Sequence, residues 1–92
     1  MEIAPEYVDA IVYKAITYID LEAYEDALSA AEQAIQMNPN HENAWYYKAQ
    51  ALKSLGRTQE AIVAYEKVLE INPSNEYARQ DLVSLDPSRD VE

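Results

Sequence analysis

The sequence predicts an all-α protein made of right-handed stacked helix-turn-helix repeats, with five helices in one domain. Three observations support this prediction. An Asn-Pro pair occurs at Asn38-Pro39 and again at Asn72-Pro73, and 73 minus 39 is 34. Apolar residues follow three- and four-residue steps, which is the spacing of one helix face. The chain of 92 residues has only one glycine and four prolines, so few residues interrupt those helices.

The interval between the two Asn-Pro pairs marks an internal repeat. A shift by this interval aligns identical residues at turn positions and at expected core positions alike. The aligned pairs include Ala10 with Ala44, Tyr13 with Tyr47, Lys14 with Lys48, Ala15 with Ala49, Leu21 with Leu55, Ala27 with Ala61 and Glu32 with Glu66. Self-similarity at about 20 to 50 residues is typical of stacked-repeat architectures. Within a single domain over 1–92, we expect repeats over 8–41 and 42–75, a capping helix over 76–85 and a polar tail over 86–92.

The first repeat is predicted to contain two helices. One spans 5–21, where the apolar steps continue without a glycine or an internal proline. A break follows near Glu22, and the second helix spans 24–37. Pro39 ends it, because proline lacks an N–H donor and restricts the residue before it. Since Glu22 cannot adopt a left-handed conformation cheaply, we expect its turn to differ from the corresponding turn at Gly56.

Three further helices are predicted, over 42–55, 58–71 and 75–85. Asn40 is the expected cap of the first of these, and Gly56 follows its end, where a left-handed turn is cheapest without a Cβ. Pro73 ends the next helix. Ser74 is the expected cap of the last one, because its side chain can accept a hydrogen bond from a free backbone N–H.

Charge and composition exclude several classes of function. The 7 basic and 17 acidic residues give a formal net charge of -10, which argues against binding to nucleic acid or to an anionic membrane surface. The longest apolar run, 61–65, is too short to span a bilayer. The absence of cysteine excludes disulfides and thiolate metal sites. Residues 1–6 lack the basic and apolar regions of a secretory signal, so we expect a cytoplasmic protein.

The second repeat resembles the tetratricopeptide repeat (TPR), a helix-turn-helix module of about 34 residues. The matching residues are Trp45, Ala49, Leu52, Gly56, Ala61, Tyr65 and Pro73. The resemblance covers Val8 to Asn75 as two repeats, and residues 76–85 resemble the terminal solvating helix of the family. It implies a TPR-like α-solenoid that acts as a non-catalytic protein-interaction module.

Residue size at the repeated positions predicts how the helices pack. Ala49 and Ala61 are small where paired helices must cross closely. Trp45 and Tyr65 can supply large buried areas that hold neighbouring helices together. In the first repeat, Ala31 stands where the second repeat has Tyr65. We expect Trp45 to fill the volume that this alanine leaves.

The resemblance implies a concave groove lined by the first helix of each pair. Val12, Ile16 and Ile19 form an apolar stripe that the family pattern places in this groove. The predicted peptide- or protein-binding residues are Asp9, Val12, Ile16, Ile19, Asn43, Tyr46, Gln50, Lys53 and Tyr77. This groove is apolar at its N-terminal end and polar to aromatic at its C-terminal end. We predict that it binds a peptide or protein segment.

Two other interpretations of the apolar stripe stay open, namely self-association into a homo-oligomer and packing within the monomer. The family also has a carboxylate clamp, which grips a C-terminal Asp. This groove lacks that set, because Val12 and Ile16 are apolar and Tyr47 and Tyr77 occupy other clamp positions. The net charge would also repel acidic tails. We therefore expect a partner segment that is apolar or basic rather than acidic.

The sequence predicts no enzyme, cofactor or metal site. His41 is the only histidine, and its position after an Asn-Pro pair is typical of a solvated turn residue. The chain has no phosphate-binding glycine loop, no serine with a plausible histidine base, and no glycine-centred run of oxygen ligands for calcium.

Overall fold

The computed structural model describes residues 5–89, and this part of the chain contains five α-helices. They are α1 (Pro5–Asp20), α2 (Tyr24–Met37), α3 (Glu42–Ser54), α4 (Thr58–Ile71) and α5 (Glu76–Leu85), followed by a single 3-10 turn at Pro87–Arg89. The all-α, five-helix prediction is confirmed, and every helix begins and ends within one residue of its predicted bounds. The start of the chain and the last three residues of the predicted tail, 90–92, lie outside the described residues.

The helices stack in sequence order. Each helix packs on the one before it, and α3 also contacts α1. This arrangement gives an elongated array of 42 × 26 × 17 Å. Side chains of α1 and α3 can therefore contribute to one continuous face.

The turns after α1 and α3 have the same conformation. Glu22 has a φ of 61° and Gly56 a φ of 79°, so both residues are left-handed. At each turn, the N–H of the left-handed residue donates to a carbonyl three residues back, at 2.9 and 3.0 Å. The next N–H donates to a carbonyl five residues back, at 2.8 and 2.9 Å, which completes a Schellman motif. The expectation that the Glu22 turn would differ is wrong, because these paired hydrogen bonds impose the same geometry on glutamate.

The side chains that cap α3 and α5 lie one residue later in the chain than predicted. His41 Nδ1 accepts from the N–H of Ala44 at 3.2 Å, and Asn75 Oδ1 accepts from the N–H of Ala78 at 2.9 Å. These two caps lie one repeat interval apart and occupy the same position in their repeats. They satisfy one of the backbone donors that the first helical turn leaves free.

The predicted caps Asn40 and Ser74 instead belong to the turns before these helices. Their backbone N–H groups donate to the side-chain oxygens of Asn38 and Asn72, at 3.2 and 3.1 Å. The repeated asparagine of the Asn-Pro pair thus shapes each turn. This moves the cap to the following residue.

Two apolar clusters form the core. The first joins α1, α2 and the start of α3, and its buried residues are Val8, Ile11, Val12, Ala15, Ala30, Ala31, Ala34 and Ala44. The second joins α2 to α5 and is built around the largest fully buried side chains, Tyr65, Leu52 and Val68. The first cluster is therefore made of small and branched side chains, whereas the second is centred on a tyrosine.

Trp45 does not take the place predicted for it. It is only partly buried and packs against the second cluster, whereas Ala31 is fully buried in the first. The indole N–H donates to the carbonyl of Pro39 at 2.7 Å, and the ammonium groups of Lys48 and Lys67 lie 5.0 and 5.9 Å from the ring centroid. The need to satisfy the indole N–H keeps the ring near the surface turn.

Candidate functional site

An open depression of about 250 Å³ lies between α1 and α3, the helices that were predicted to line a groove. Its lining residues are Asp9, Val12, Tyr13, Ile16, His41, Asn43 and Tyr47. It combines apolar and aromatic side chains with one carboxylate, one imidazole and one amide. Such a surface offers both apolar contact and hydrogen bonding to a bound segment.

The apolar and aromatic residues of this depression that keep some exposure are Tyr13, Ile16 and Tyr47. The side chain of Tyr13 is 68% exposed, and that of Ile16 is partly exposed. Val12, by contrast, is 5% exposed and belongs to the first core cluster. Val12 therefore forms the floor, and its neighbours supply the surface that a partner can reach.

The polar part of the depression is an Asp9–His41 pair. His41 Nε2 lies 2.9 Å from Asp9 Oδ1, and His41 Nδ1 accepts the helix-capping hydrogen bond. A nitrogen that accepts a backbone N–H carries no proton, so neutral His41 has its proton on Nε2 and donates it to Asp9. The histidine side chain is 16% exposed, whereas that of Asp9 is 57% exposed. The carboxylate thus keeps lone pairs available to a ligand.

A connected polar network joins α3, α4 and α5. The Tyr65 hydroxyl donates to Gln50 Oε1 at 3.3 Å, and Gln50 Nε2 donates to the Tyr46 hydroxyl oxygen at 2.7 Å. The Tyr46 hydroxyl donates in turn to Asp81 Oδ2 at 3.2 Å. Lys53 Nζ lies 3.8 Å from Asp81 Oδ1. These polar side chains are partnered with one another.

Burial and the Asp81 charge act on both tyrosines of this network. Burial, followed by the charge of Asp81 and the hydrogen bond to it, raises the pKa of Tyr46 from 10.0 to about 12. Burial, again followed by the charge of Asp81, raises the pKa of Tyr65 further. In each case the low-dielectric surroundings and the nearby carboxylate disfavour a phenolate. Both hydroxyls are therefore protonated donors at neutral pH.

The structure divides the predicted binding residues into two groups and leaves two others apart. Asp9, Val12, Ile16 and Asn43 meet at the depression, and Tyr46, Gln50 and Lys53 belong to the polar network. Ile19 is partly buried against the second core cluster. Tyr77, at 74% exposure, projects from the first turn of α5.

The sequence interpretation missed three residues of the depression, namely Tyr13, His41 and Tyr47. His41 had been interpreted as a solvated turn residue. The repeat itself contains the signal for His41, because it aligns with Asn75, a residue type that readily caps helices. The capping contact with Ala44 holds the His41 ring over the start of α3, and its other nitrogen, Nε2, lies against Asp9 of α1.

Among residues 5–89, no three His, Asp or Glu side chains come together as a possible metal site. None of the described helices has both the length and the apolar character needed to cross a membrane.

Two family models match the sequence. The tetratricopeptide-repeat model matches residues 42–75, which comprise α3 and α4. The model of the protein prenyltransferase alpha subunit repeat matches residues 24–55, which comprise α2 and α3. No curated protein sequence gives a significant match.

Solved TPR structures share this fold. The first TPR of Spaghetti (RPAP3), bound to the HSP90 peptide SRMEEVD, superimposes with a TM-score of 0.85 at 26% identity, covering 89% of this chain and 65% of that one. The first TPR domain of human RPAP3 gives 0.82 at 26% identity, covering 86% and 62%. The second TPR domain of human RPAP3, in complex with the HSP70 peptide SGPTIEEVD, gives 0.82 at 27% identity, covering 85% and 65%.

This chain thus spans less than two thirds of the length of each of these structures. The internal repeat, the paired Schellman turns, the matching family model and the shared fold agree with one another. Residues 42–75 thus match the tetratricopeptide-repeat family, and the described helices have the fold of solved TPR domains.

Proposed function

We propose that this chain is a non-catalytic protein-interaction module that binds a peptide or protein segment in the depression between α1 and α3. One observation carries the proposal: the exposed ring of Tyr13 and the partly exposed side chain of Ile16 lie beside an exposed carboxylate at Asp9. Related TPR structures hold peptides, as the complexes with SRMEEVD and SGPTIEEVD record. These relatives support peptide binding as the mode of interaction.

The chemistry of the depression favours an apolar or basic segment. Asp9 is the exposed charge at its edge, and the whole chain has a net charge of -10. A basic side chain of the partner would pair with Asp9, while a neighbouring apolar side chain covers Ile16. Acidic segments would meet repulsion both locally and at long range. A cytoplasmic setting stays a prediction from the sequence.

Paired substitutions at the depression test this function. Affinity capture with the wild-type chain, followed by direct titration of the recovered protein, gives the reference affinity. The double variant Tyr13→Asp/Ile16→Asp should weaken binding at least about tenfold, a change of about 1.4 kcal/mol, because it places charge where apolar contact forms. Val63→Asp is the matched control, since Val63 is 61% exposed on α4 and lies outside the depression. Equal binding by both variants would remove the proposed site.

A homo-oligomer formed through the same depression is the alternative. Its apolar side chains could meet a second copy, although the charge of -10 on each chain opposes that contact. Sedimentation equilibrium over a wide concentration range separates the two functions. A monomer at every concentration would exclude the oligomer, whereas a dimer that Tyr13→Asp/Ile16→Asp dissociates would replace the peptide-binding proposal.

A further inference from the structure

One face of the first helix is exposed to solvent along its whole length. Its residues follow steps of four, three and four along α1 and into the turn after it, so they form one stripe. We call this the edge stripe, and its members are Ala10, Lys14, Thr17 and Leu21. All four are exposed, and Leu21 is 70% exposed. The stripe therefore presents apolar and small side chains to solvent around a single cation.

The same stripe occurs on α3, where it is covered. A shift by one repeat interval aligns the edge stripe with Ala44, Lys48, Ala51 and Leu55. The alanine, the lysine and the leucine are identical in the two helices, and only Thr17 differs, since α3 has an alanine there. Ala44 and Ala51 are fully buried, and Leu55 is partly buried against the second core cluster. The sequence thus repeats a packing face that the chain itself covers only once.

Helix α2 packs against this face of α3, and it does so with small residues and one acid. Its alanines share the first core cluster with Ala44, and Ala27 and Leu28 share the second with Ala51. Small side chains on both helices allow a close approach of their backbones. At the margin, Glu32 Oε2 lies 3.6 Å from Lys48 Nζ. The cover of this stripe is therefore an amphipathic helix that matches the lysine with a carboxylate.

The two polar residues of the edge stripe are compatible with the same kind of cover. Among residues 5–89, no carboxylate lies within ion-pair distance of Lys14, the counterpart of Lys48. The Thr17 hydroxyl donates to the carbonyl of Tyr13 at 3.0 Å, inside its own helix. A helix that packs over Thr17 would therefore leave no unpaired donor beneath it. The stripe offers a partner close contact at Ala10 and Thr17 and a charge to pair at Lys14.

We propose that the edge stripe docks an amphipathic α-helix of a partner protein, which packs on α1 as α2 packs on α3. The partner helix presents alanine-sized residues to Ala10 and Thr17 and a carboxylate to Lys14. The internal repeat supports this occupant, because the chain covers its own copy of the stripe with a helix of this chemistry. A second copy of the chain fits less well, since two charges of -10 repel each other. The stripe shares no residue with the lining of the depression, so this inference goes beyond the proposed function.

A synthetic peptide with the sequence of α2, residues 24–37, is the probe for this surface. A cross-link between the positions of Ser29 and Gln33, both exposed in α2, holds it helical, because short isolated helices are marginal in water. Titration into the isotope-labelled full chain should shift the amide signals of Ala10, Lys14 and Thr17. These shifts would place the peptide on the edge stripe.

Thr17→Glu should weaken peptide binding at least about tenfold, a change of about 1.4 kcal/mol. The longer side chain separates the two helices, and its carboxylate competes for Lys14. Val63→Glu is the matched control, since it also replaces an exposed β-branched helix residue by glutamate. It should leave the affinity unchanged.

Charge reversal tests the proposed ion pair at the margin of the helix contact. Lys14→Glu should weaken binding of the peptide up to about fivefold, as expected for an exposed pair. A second peptide that carries Glu32→Lys should recover that loss with the Lys14→Glu chain and bind the wild-type chain more weakly. Circular dichroism of each variant checks that the helices are kept, and Lys14→Glu serves if Thr17→Glu does not fold.

Several outcomes would overturn the inference. They are no binding of the helical peptide to the wild-type chain, amide shifts confined to α3, equal weakening by Val63→Glu, and unchanged binding by folded Thr17→Glu. A dimer of the chain alone that Thr17→Glu dissociates would assign the stripe to a second copy instead. Because Lys14 and Thr17 lie outside the depression, these results are independent of the Tyr13 and Ile16 substitutions that test the proposed function.

Discussion

The two helix pairs of this chain share their backbone junctions but differ in the side chains that complete them. His41 caps α3 and contacts Asp9 on α1, while Asn75 caps α5 and donates to Glu42 at the start of α3 at 2.6 Å. In both junctions the capping side chain connects its own helix to an acid on an earlier one. The two junctions therefore share the position of the capping residue, whereas the type of residue at that position differs.

The faces that these junctions position are different. Next to α1 the face is an open depression with an exposed Tyr13 and a partly exposed Ile16. Between α3 and α5 the polar side chains are joined through Tyr46 to Asp81. The two faces differ because of a core residue. Tyr65 donates its hydroxyl hydrogen bond to Gln50 of the network, whereas Ala31 at the equivalent position has no hydroxyl. One backbone thus supports an open surface in one pair and an internally satisfied surface in the other.

Removing the tyrosine at the centre of the second pair should have the largest effect. Tyr65 is fully buried, so Tyr65→Ala should lower the free energy of unfolding by about 3–5 kcal/mol through lost contacts and a cavity. Tyr65→Phe should cost only about 1 kcal/mol, because it removes the hydroxyl and keeps the ring. Urea denaturation measures both losses. A loss below about 1 kcal/mol for Tyr65→Ala would show that the second core does not depend on this ring.

Alkaline pH should destabilise the protein through the second pair. The pKa of Tyr46 is raised from 10.0 to about 12, and that of Tyr65 is also raised. Between pH 10 and 12 the unfolded chain therefore releases protons that the folded chain retains, and the free energy of unfolding falls as the pH rises. Below this window the two groups contribute no pH dependence.

Tyr46→Phe tests the assignment of this alkaline loss. The variant lacks the titrating hydroxyl, so its stability should fall less steeply above pH 10 than that of the wild-type chain. Tyr77→Phe is the control, because the Tyr77 side chain is 74% exposed and lies outside the network. Urea denaturation at several pH values gives the slopes. Equal slopes for Tyr46→Phe and the wild-type chain would place the alkaline sensitivity elsewhere.

The helices and their order could be predicted from the sequence because those features are local and repeated. The steps of apolar residues, the two Asn-Pro pairs and Gly56 mark the helix ends to within one residue. The caps were placed one residue too early, since Asn40 and Ser74 are themselves good capping types. Asn40 and Ser74 do not cap the helices because their backbone N–H groups donate to the side chains of Asn38 and Asn72 within the turn. These hydrogen bonds depend on the fold of the whole turn.

The candidate site was only partly predictable, because contacts between repeats depend on how the helices cross. The position of Asp9 near the groove follows from helix periodicity. Its pairing with His41, 32 residues away, requires the stacking of α1 against α3. In the same way, Lys53 was predicted as a binding residue of the groove, whereas its ammonium lies 3.8 Å from Asp81 Oδ1 on α5. Trp45 was predicted to be buried from its size, whereas its indole N–H directs it to the carbonyl of Pro39.

The smallest expected difference between the two pairs is the residue at the left-handed position of the turn. A single substitution at Glu22 or Gly56 exchanges the residue type there. Glu22 and Gly56 share a left-handed φ, at 61° and 79°, and a Cβ built on Gly56 would meet no atom within 4 Å. The cost of a side chain at Gly56 is therefore a backbone cost, about 1–2 kcal/mol for an L-residue, and the left-handed φ of Glu22 carries the same kind of cost. Part of any gain from glycine is offset by about 0.5–1 kcal/mol, because glycine loses more conformational entropy on folding.

Glu22→Gly should therefore raise the free energy of unfolding by about 0.5–1 kcal/mol, and Gly56→Ala should lower it by about 1 kcal/mol. Glu22→Ala is the matched control, because it removes the same negative charge but keeps the Cβ in the left-handed conformation. It should leave the stability close to that of the wild-type chain. If urea denaturation shows that Glu22→Ala stabilises as much as Glu22→Gly, then relief of charge repulsion, and not backbone strain, separates the two turns.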